Sequence, residues 1–240
     1  MLAIIGASLP DSTFRPVLID EHMLIVDKGP GLLTVPGRGE GKEDCLISRL
    51  QGEGYDGIQH AAHRLDRDTS GLIAFGRNPA AHRSLSMQFQ EHRVRKQYQA
   101  LVLGWPAGDT GEVDACIGKV RDPDDGFSRM RIVPTTANGA KRCLTRWRVL
   151  DRHEGDGLGL QWSRVELSPV TGRSHQLRLH MAHLGHPMLG DELHGNEQAA
   201  AATPRLCLHA AALEFDHPAS GERVSVASGS EAAFDFVDLS

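Results

Sequence analysis

Three segments of the chain concentrate residues able to do chemistry. HRLDRDTSGL (63–72) sets the carboxylate of Asp66 between Arg64 and Arg67 and follows it with Thr69, Ser70 and Gly71. Cationic neighbours favour the ionised carboxylate, the form that a nucleophile or a base needs. The same residues also describe a turn closed by salt bridges, and the segment alone does not choose. RVRKQYQALVLG (93–104) is a basic run, Arg93, Arg95 and Lys96, feeding a strand whose first strongly apolar residue is Tyr98. The chain has only two tyrosines, Tyr55 and Tyr98. Tyr98 is therefore either a core aromatic or a ring set against a base with its hydroxyl at the reacting atom. SPVTGRSHQLRLHMAHLGHPMLGD (168–191) opens with a tight turn at Thr171-Gly172 and a candidate N-cap, Ser174. A helix from there places Arg178 one turn on, with Arg173 just before it. His180 and His183, at i,i+3, could share a metal ion that His186 and Asp191 complete. Against a metal-dependent hydrolase of this kind, His186-Pro187 lies past the helix, and carboxylates to orient ligating histidines are sparse. Histidines satisfied by core or backbone, His175 among them, are the competing reading.

The elements that must hold these segments are mostly strands. Met23–Lys28 reads as a strand, followed by the turn-rich GPGLLTVPGRGEG, and Cys45–Leu50 as a short helix. His63–Ser70 falls just before a short apolar strand, Leu72–Phe75. Asn78 then Pro79 is a helix start, an N-cap with proline at the first position, and the helix should run to about His92. Leu85 and Phe89 in it face the core at i,i+4. Tyr98–Gly104, Lys141–Leu150 and Gly159–Leu167 are rich in β-formers, with Cys143, Thr145, Trp147 and Val149 on one face. His175–Leu184 reads as helix, and Leu206–Phe215 and Arg223–Val226 as strands. Consecutive strands with few helices predict an α+β fold on a mixed, mainly antiparallel sheet, as a single domain over 1–240. The loops 122–127 and 195–204 are the expected mobile segments.

Composition narrows the class. At 40% hydrophobic and 24% charged the chain is an ordinary globular protein, and no stretch approaches the roughly 20 apolar residues of a membrane span. Cys45, Cys116, Cys143 and Cys207 are far apart and form no CxxC pair, which fits reduced thiols in a cytoplasm. Net charge is −5, yet residues 63–96 carry +4, residues 119–148 carry +5, and the segment from Glu214 onward carries −5. Such a distribution fits either one polyanion-facing side or ordinary solvated charge.

Taken together, GLLTVPGR (31–38), HRLDRDTSG (63–71), KQYQA (96–100), PVTGRSHQLRLHMAHLGHPMLGD (169–191) and PRLCLHA (204–210) resemble the RluA family of RNA pseudouridine synthases, in the family's order and spacing. The resemblance implies a pseudouridine synthase domain with a central catalytic cleft, and an isomerase that needs neither cofactor nor metal. By the same resemblance Asp66 is the catalytic aspartate, Tyr98 the tyrosine that packs on the target base, and Arg178 the arginine that pairs with the aspartate. Arg64 fills the space left by the uridine, and Leu177 lines the pocket. Arg67, Thr69, Arg173, His175, Arg93, Arg95 and Lys96 are the remaining expected RNA contacts. Two departures stand out: Lys28-Gly29-Pro30 carries an inserted glycine, and His194 replaces the family's frequent tyrosine after GDxx.

With the catalytic loop opening at His63, no room is expected for the N-terminal RNA-binding domain found in many relatives. The compact form looks most like the RluA subgroup, which modifies the tRNA anticodon loop and a 23S ribosomal RNA loop. The expectation is a cytoplasmic, monomeric enzyme acting on tRNA, 23S rRNA or both; a catalytically silent RNA-binding module is the other alternative. Loop RNA suits an enzyme that must splay out a base and read its neighbours.

Overall fold

The computed structural model describes residues 3–4, 14–37, 43–124, 126–154, 159–229 and 233–234. Among them the chain forms, in order, β1 (Ala3–Ile4), β2 (Phe14–Ile19), β3 (Met23–Lys28), α1 (Leu46–Gly52), β4 (Ser70–Gly76), α2 (Pro79–Gln90) and β5 (Arg95–Leu103). There follow β6 (Thr110–Arg121), β7 (Ser128–Val133), β8 (Lys141–His153), β9 (Trp162–Pro169), α3 (Gln176–His183), α4 (Glu197–Ala201), β10 (Leu208–Asp216) and β11 (Arg223–Ala227). Arg38, which ends the GLLTVPGR motif, and Asp125, in the loop expected to be mobile, lie outside the described residues.

The chain divides into two compact units, Met1–Lys96 with Leu208–Ala233, and Gln97–Cys207 with Phe234–Ser240. In the first, β1, β2, β3 and β4 pair antiparallel in sequence order, β10 lies parallel to β4, and β11 pairs antiparallel with β10. β3 is buried on both faces and β4 throughout, so both read as continuous apolar runs. Leu85 of α2 is fully buried in a cluster with Met23, Ile25, Leu72, Ala74 and Phe215, and Phe89 packs partly against it. α2 begins as its sequence demands: the Asn78 side chain accepts the Ala81 N–H at 2.9 Å and Pro79 occupies the first turn. Gly71 is required where β4 meets β10. Its φ is +112°, and a Cβ there would lie 2.4 Å from the Ala210 backbone.

In the second unit the antiparallel order is β5-β9-β8-β6-β7. Cys143, Thr145 and Trp147 of β8 are buried on the face the sequence assigned them. α3 covers part of this sheet through Leu179, which clusters with Ile117, Cys143, Met130 and Ile132. The segment 195–204, expected to be mobile, instead holds α4, capped by the Asn196 side chain on the Ala199 N–H at 2.8 Å. The four cysteines are buried free thiols, and among the described residues no helix is long and apolar enough to cross a membrane.

Candidate active site

In the first unit Asp66 sits half-buried on the turn that leads into β4. The turn closes on itself through the Thr69 N–H, which donates to the Asp66 carbonyl at 3.2 Å. Thr69 is 3% exposed, which places it inside the turn. Upstream, the His63 ring stacks on Phe89 at 4.0 Å, and its Nε2 accepts the Ala74 N–H at 3.0 Å. Burial, with the Lys96 charge as a lesser cause, pushes this imidazole down to about 3, so it stays neutral and acts as a fixed acceptor. Downstream, the Lys28 ammonium is 0% exposed and donates to the carbonyls of Gly29 (2.8 Å), Leu32 (2.9 Å) and Arg67 (3.0 Å). The inserted Gly29 thus lends a carbonyl to the cation beneath the turn. At its end, Ser70 Oγ meets His209 Nδ1 at 2.9 Å and His209 Nε2 meets Ser228 Oγ at 2.7 Å, which gives the PRLCLHA histidine its place.

The two arginines beside Asp66 are both exposed, and Arg67 forms its ion pair with Asp68, at 2.9 Å. The basic run 93–96 also differs from a bare cationic edge. Arg93 pairs with Glu91 (2.8 Å) and Asp216 (3.1 Å), Arg95 reaches Glu214 (3.4 Å), and burial lowers the Lys96 ammonium. The acids of the C-terminal segment thus stand beside the basic run that the sequence set apart from them.

The second unit carries Tyr98, Arg173, His175, Leu177 and Arg178. Tyr98 is half-buried on β5, opposite Leu167 of β9. α3 starts one residue later than expected: the N-cap is His175, in the left-handed region at φ 58°, and not Ser174. No side chain caps α3, and the Gln176 side chain ties its first turn to the preceding loop and to β8 instead. Its Oε1 accepts from Thr171 Oγ1 (2.7 Å) and the Arg173 N–H (3.1 Å), while Nε2 donates to the Leu144 carbonyl (3.1 Å) and Thr145 Oγ1 (3.0 Å). This anchors the first turn of α3 to β8 and fixes the direction of the next two side chains, Leu177 and Arg178, which are 7% and 5% exposed.

The guanidinium of Arg178 forks onto Asp191, with Nε to Oδ2 at 2.9 Å and Nη2 to Oδ1 at 2.5 Å. Asp191 Oδ1 also accepts the N–H groups of Leu193 (3.0 Å) and His194 (2.9 Å). Burial alone would raise this carboxyl, but the Arg178 hydrogen bonds and charge outweigh it and hold it below the usual range. Sequence reasoning weighed Asp191 only as a possible metal ligand and missed its pairing with Arg178. Its neighbour Gly190 is obligatory: at φ +72° a Cβ would lie 1.9 Å from the Arg205 carbonyl oxygen.

Three of the histidines, His175, His186 and His194, have partners of their own. His194, standing where the family has tyrosine, meets His175 ring to ring (Nε2 to Nδ1, 2.7 Å) and is pushed down to about 4 by burial and then by the Arg178 charge. His186 Nδ1 meets the Leu103 carbonyl at 2.8 Å. His180 is buried within α3, both ring nitrogens without a hydrogen-bond partner, and burial lowers it to about 4. Among the described residues no three His, Cys, Asp or Glu side chains converge on a metal position.

The profile of the RNA pseudouridylate synthase family matches residues 22–183. The chain is 42% identical over 225 residues to the dual-specificity RNA pseudouridine synthase RluA of Pasteurella multocida, covering 93% of this chain and 97% of that one. It is 39% identical over 209 residues to the RluA of Escherichia coli K12, covering 86% of this chain and 88% of that one. Among solved structures it is similar to human RNA pseudouridylate synthase domain containing 1, at TM-score 0.74 and 30% identity, with 93% of this chain and 86% of that chain covered.

Proposed function

The chain belongs to the RNA pseudouridylate synthase family, and we propose that it isomerises uridines in loops of tRNA, of 23S ribosomal RNA, or of both, with Asp66 as the catalytic carboxylate. The observation that carries this reading is the 42% identity to a dual-specificity RluA across 93% of the chain, with Asp66, Tyr98 and Arg178 all present. The N1–C1′ bond breaks, the uracil turns, C5 joins C1′, the C5 proton leaves to solvent, and N1 ends protonated. No electrons are gained or lost and no water is consumed, so the reaction calls for no redox cofactor.

Asp66 acts as nucleophile at C1′ or as base at C2′. Tyr98 packs its ring on the target base near C5. In this reading Arg178, held by Asp191, is the arginine that pairs with the catalytic carboxylate and favours its ionised form. Exposed Arg64 replaces the stacking that the flipped uridine loses, a cost of about a few kcal/mol, and Leu177 supports the pocket wall. Exclusion of water protects the detached glycosyl centre from hydrolysis. Arg67, Arg173 and His175, with the basic residues of 93–96 and 119–148, supply the RNA-contacting surface. The whole works as one catalytic domain, a monomer in the cytoplasm. A metal-dependent hydrolase is disfavoured because Asp191 and His186, two of its four ligands, have other partners.

The test is tritium release from RNA labelled at uridine C5, with chelator present, on a tRNA anticodon arm and on 23S rRNA fragments. Wild type should release label from one or both, and Asp66→Asn should release none while binding RNA as before. Retained turnover in Asp66→Asn would overturn the assignment. Release that appears only without chelator would restore the metal reading.

A further inference from the structure

The turn bearing Asp66 is held on its upstream side by a residue that no motif role assigns. Thr34 is 2% exposed, and its hydroxyl makes two bonds to a single residue, Leu65, the one immediately before Asp66. Thr34 Oγ1 donates to the Leu65 carbonyl at 2.8 Å and accepts the Leu65 N–H at 3.2 Å. One hydroxyl therefore satisfies both backbone groups of a residue that is itself 5% exposed and has no strand partner. On the other side of Asp66, the Arg67 carbonyl is taken by Lys28 at 3.0 Å. The residues on either side of Asp66 are thus held, Leu65 by Thr34 and Arg67 by Lys28.

Thr34 is in turn held firmly. The carbonyl of Leu33 accepts the Leu46 N–H at 2.7 Å and that of Thr34 accepts the Ile47 N–H at 3.3 Å, so the first turn of α1 donates into the segment. α1 is capped at this point by Cys45, whose N–H donates to Ser48 Oγ at 3.0 Å while its Sγ accepts the Ser48 N–H at 3.5 Å. The order of dependence runs from the α1 cap to the 33–34 backbone, from the Thr34 hydroxyl to Leu65, and from Leu65 to the Cα of Asp66.

We infer that Thr34 is a positioning residue for the reaction: its hydroxyl fixes the backbone from which Asp66 projects. The inference rests on Asp66 being the catalytic carboxylate. Valine is nearly isosteric with threonine but offers neither donor nor acceptor, so Thr34→Val strips both bonds while filling the same space. A carboxylate whose anchor relaxes by about 1 Å loses on the order of a hundredfold in rate where reacting geometry is tight. Binding of RNA, which depends on surface charge and base contacts elsewhere, should not change.

The experiment compares wild type, Thr34→Val and Thr34→Ser by single-turnover tritium release at saturating RNA, RNA affinity, and amide hydrogen exchange over residues 63–69. The expected result for Thr34→Val is a rate reduced at least about tenfold, unaltered affinity, and faster exchange confined to that turn. Thr34→Ser, which keeps the hydroxyl, should restore most of the rate and the protection. If valine unfolds the chain, Thr34→Ala beside Thr34→Ser makes the same comparison. A Thr34→Val enzyme with wild-type rate, or a serine variant as slow as the valine one, overturns the inference. If Asp66→Asn proves as active as wild type, the catalytic reading falls instead, and the exchange data alone still decide whether Thr34 orders the turn.

Discussion

Removing either member of the Arg178–Asp191 pair should destabilise the protein far more than an ordinary surface ion pair would. The two side chains are 6% and 1% exposed, so neither charge is screened by water once its partner is gone. Breaking a buried pair by deleting one partner costs about 3–5 kcal/mol, because the surviving charge stays desolvated. Asp191→Asn is the milder case. Its carbonyl oxygen still accepts the Leu193 and His194 N–H groups, so only the charge and one arm of the fork are lost. About 3 kcal/mol is expected, or roughly 6–12 °C in Tm for a chain of this size. The assay is urea unfolding followed by circular dichroism for wild type, Asp191→Asn, and the cycle of Asp191→Leu, Arg178→Met and Arg178→Met/Asp191→Leu. The double variant replaces the pair by apolar groups and should recover most of the loss, since such replacements are often neutral or stabilising. A coupling energy above about 2 kcal/mol between the sites is the signature of direct contact. The double variant should be stable and yet inactive, separating the structural role of the pair from the role of Arg178 in turnover. Single-variant losses under about 1 kcal/mol, or additive behaviour in the cycle, would refute the reasoning.

Two further outcomes follow from the electrostatics. His63 and His180 are held neutral, at about 3 and about 4, whereas the unfolded chain protonates them near the ordinary 6.5. The unfolded state therefore binds more protons between about pH 6.5 and 4, and stability must fall as pH is lowered through that window. From pH 7 to 5.5 each of these two rings contributes about 1 kcal/mol, roughly 2 kcal/mol from the pair; equal urea unfolding free energies at the two pH values would contradict the burial argument. Binding of RNA should weaken with salt, but modestly for so arginine-rich a chain. Arg93, Arg95, Arg129, Arg131 and Arg142 each already face a carboxylate. Three to four phosphate contacts would give a log–log slope of about −3, and an affinity unchanged between 50 and 200 mM salt would remove the basic surfaces from the binding reading.

Where sequence reading succeeded and where it stopped has a common physical basis. Contacts between near neighbours were legible. Asn78-Pro79 announced α2, the alternation at Cys143, Thr145 and Trp147 announced the buried face of β8, and the run Met23–Val26 announced β3. β6 and β7 were missed because Thr110–Arg121 and Ser128–Val133 carry charges at many positions and are largely exposed or half-buried, which leaves little apolar period to read. The turn at Asp66 and the helix start at His175 were located, but their anchors were not. Thr34 holds Leu65 from 31 residues away, and α3 is tied down by the Gln176 side chain on Thr171, Arg173, Leu144 and Thr145 where Ser174 seemed to offer a cap. Charge was the least legible of all. Summed along the chain, residues 93–96 and the segment after Glu214 look like opposite poles, yet Arg93 pairs with Asp216 and Arg95 with Glu214, more than 100 residues apart. Likewise Asp191 looked like a metal ligand because histidines precede it in sequence, whereas the fold turns its carboxylate onto Arg178. A titratable residue's task is set by what the chain folds against it. A motif can therefore single out Asp66 and Arg178 while leaving silent what Thr34 and Asp191, which lie in the same set of motifs, do to hold the Asp66 turn and the Arg178 side chain.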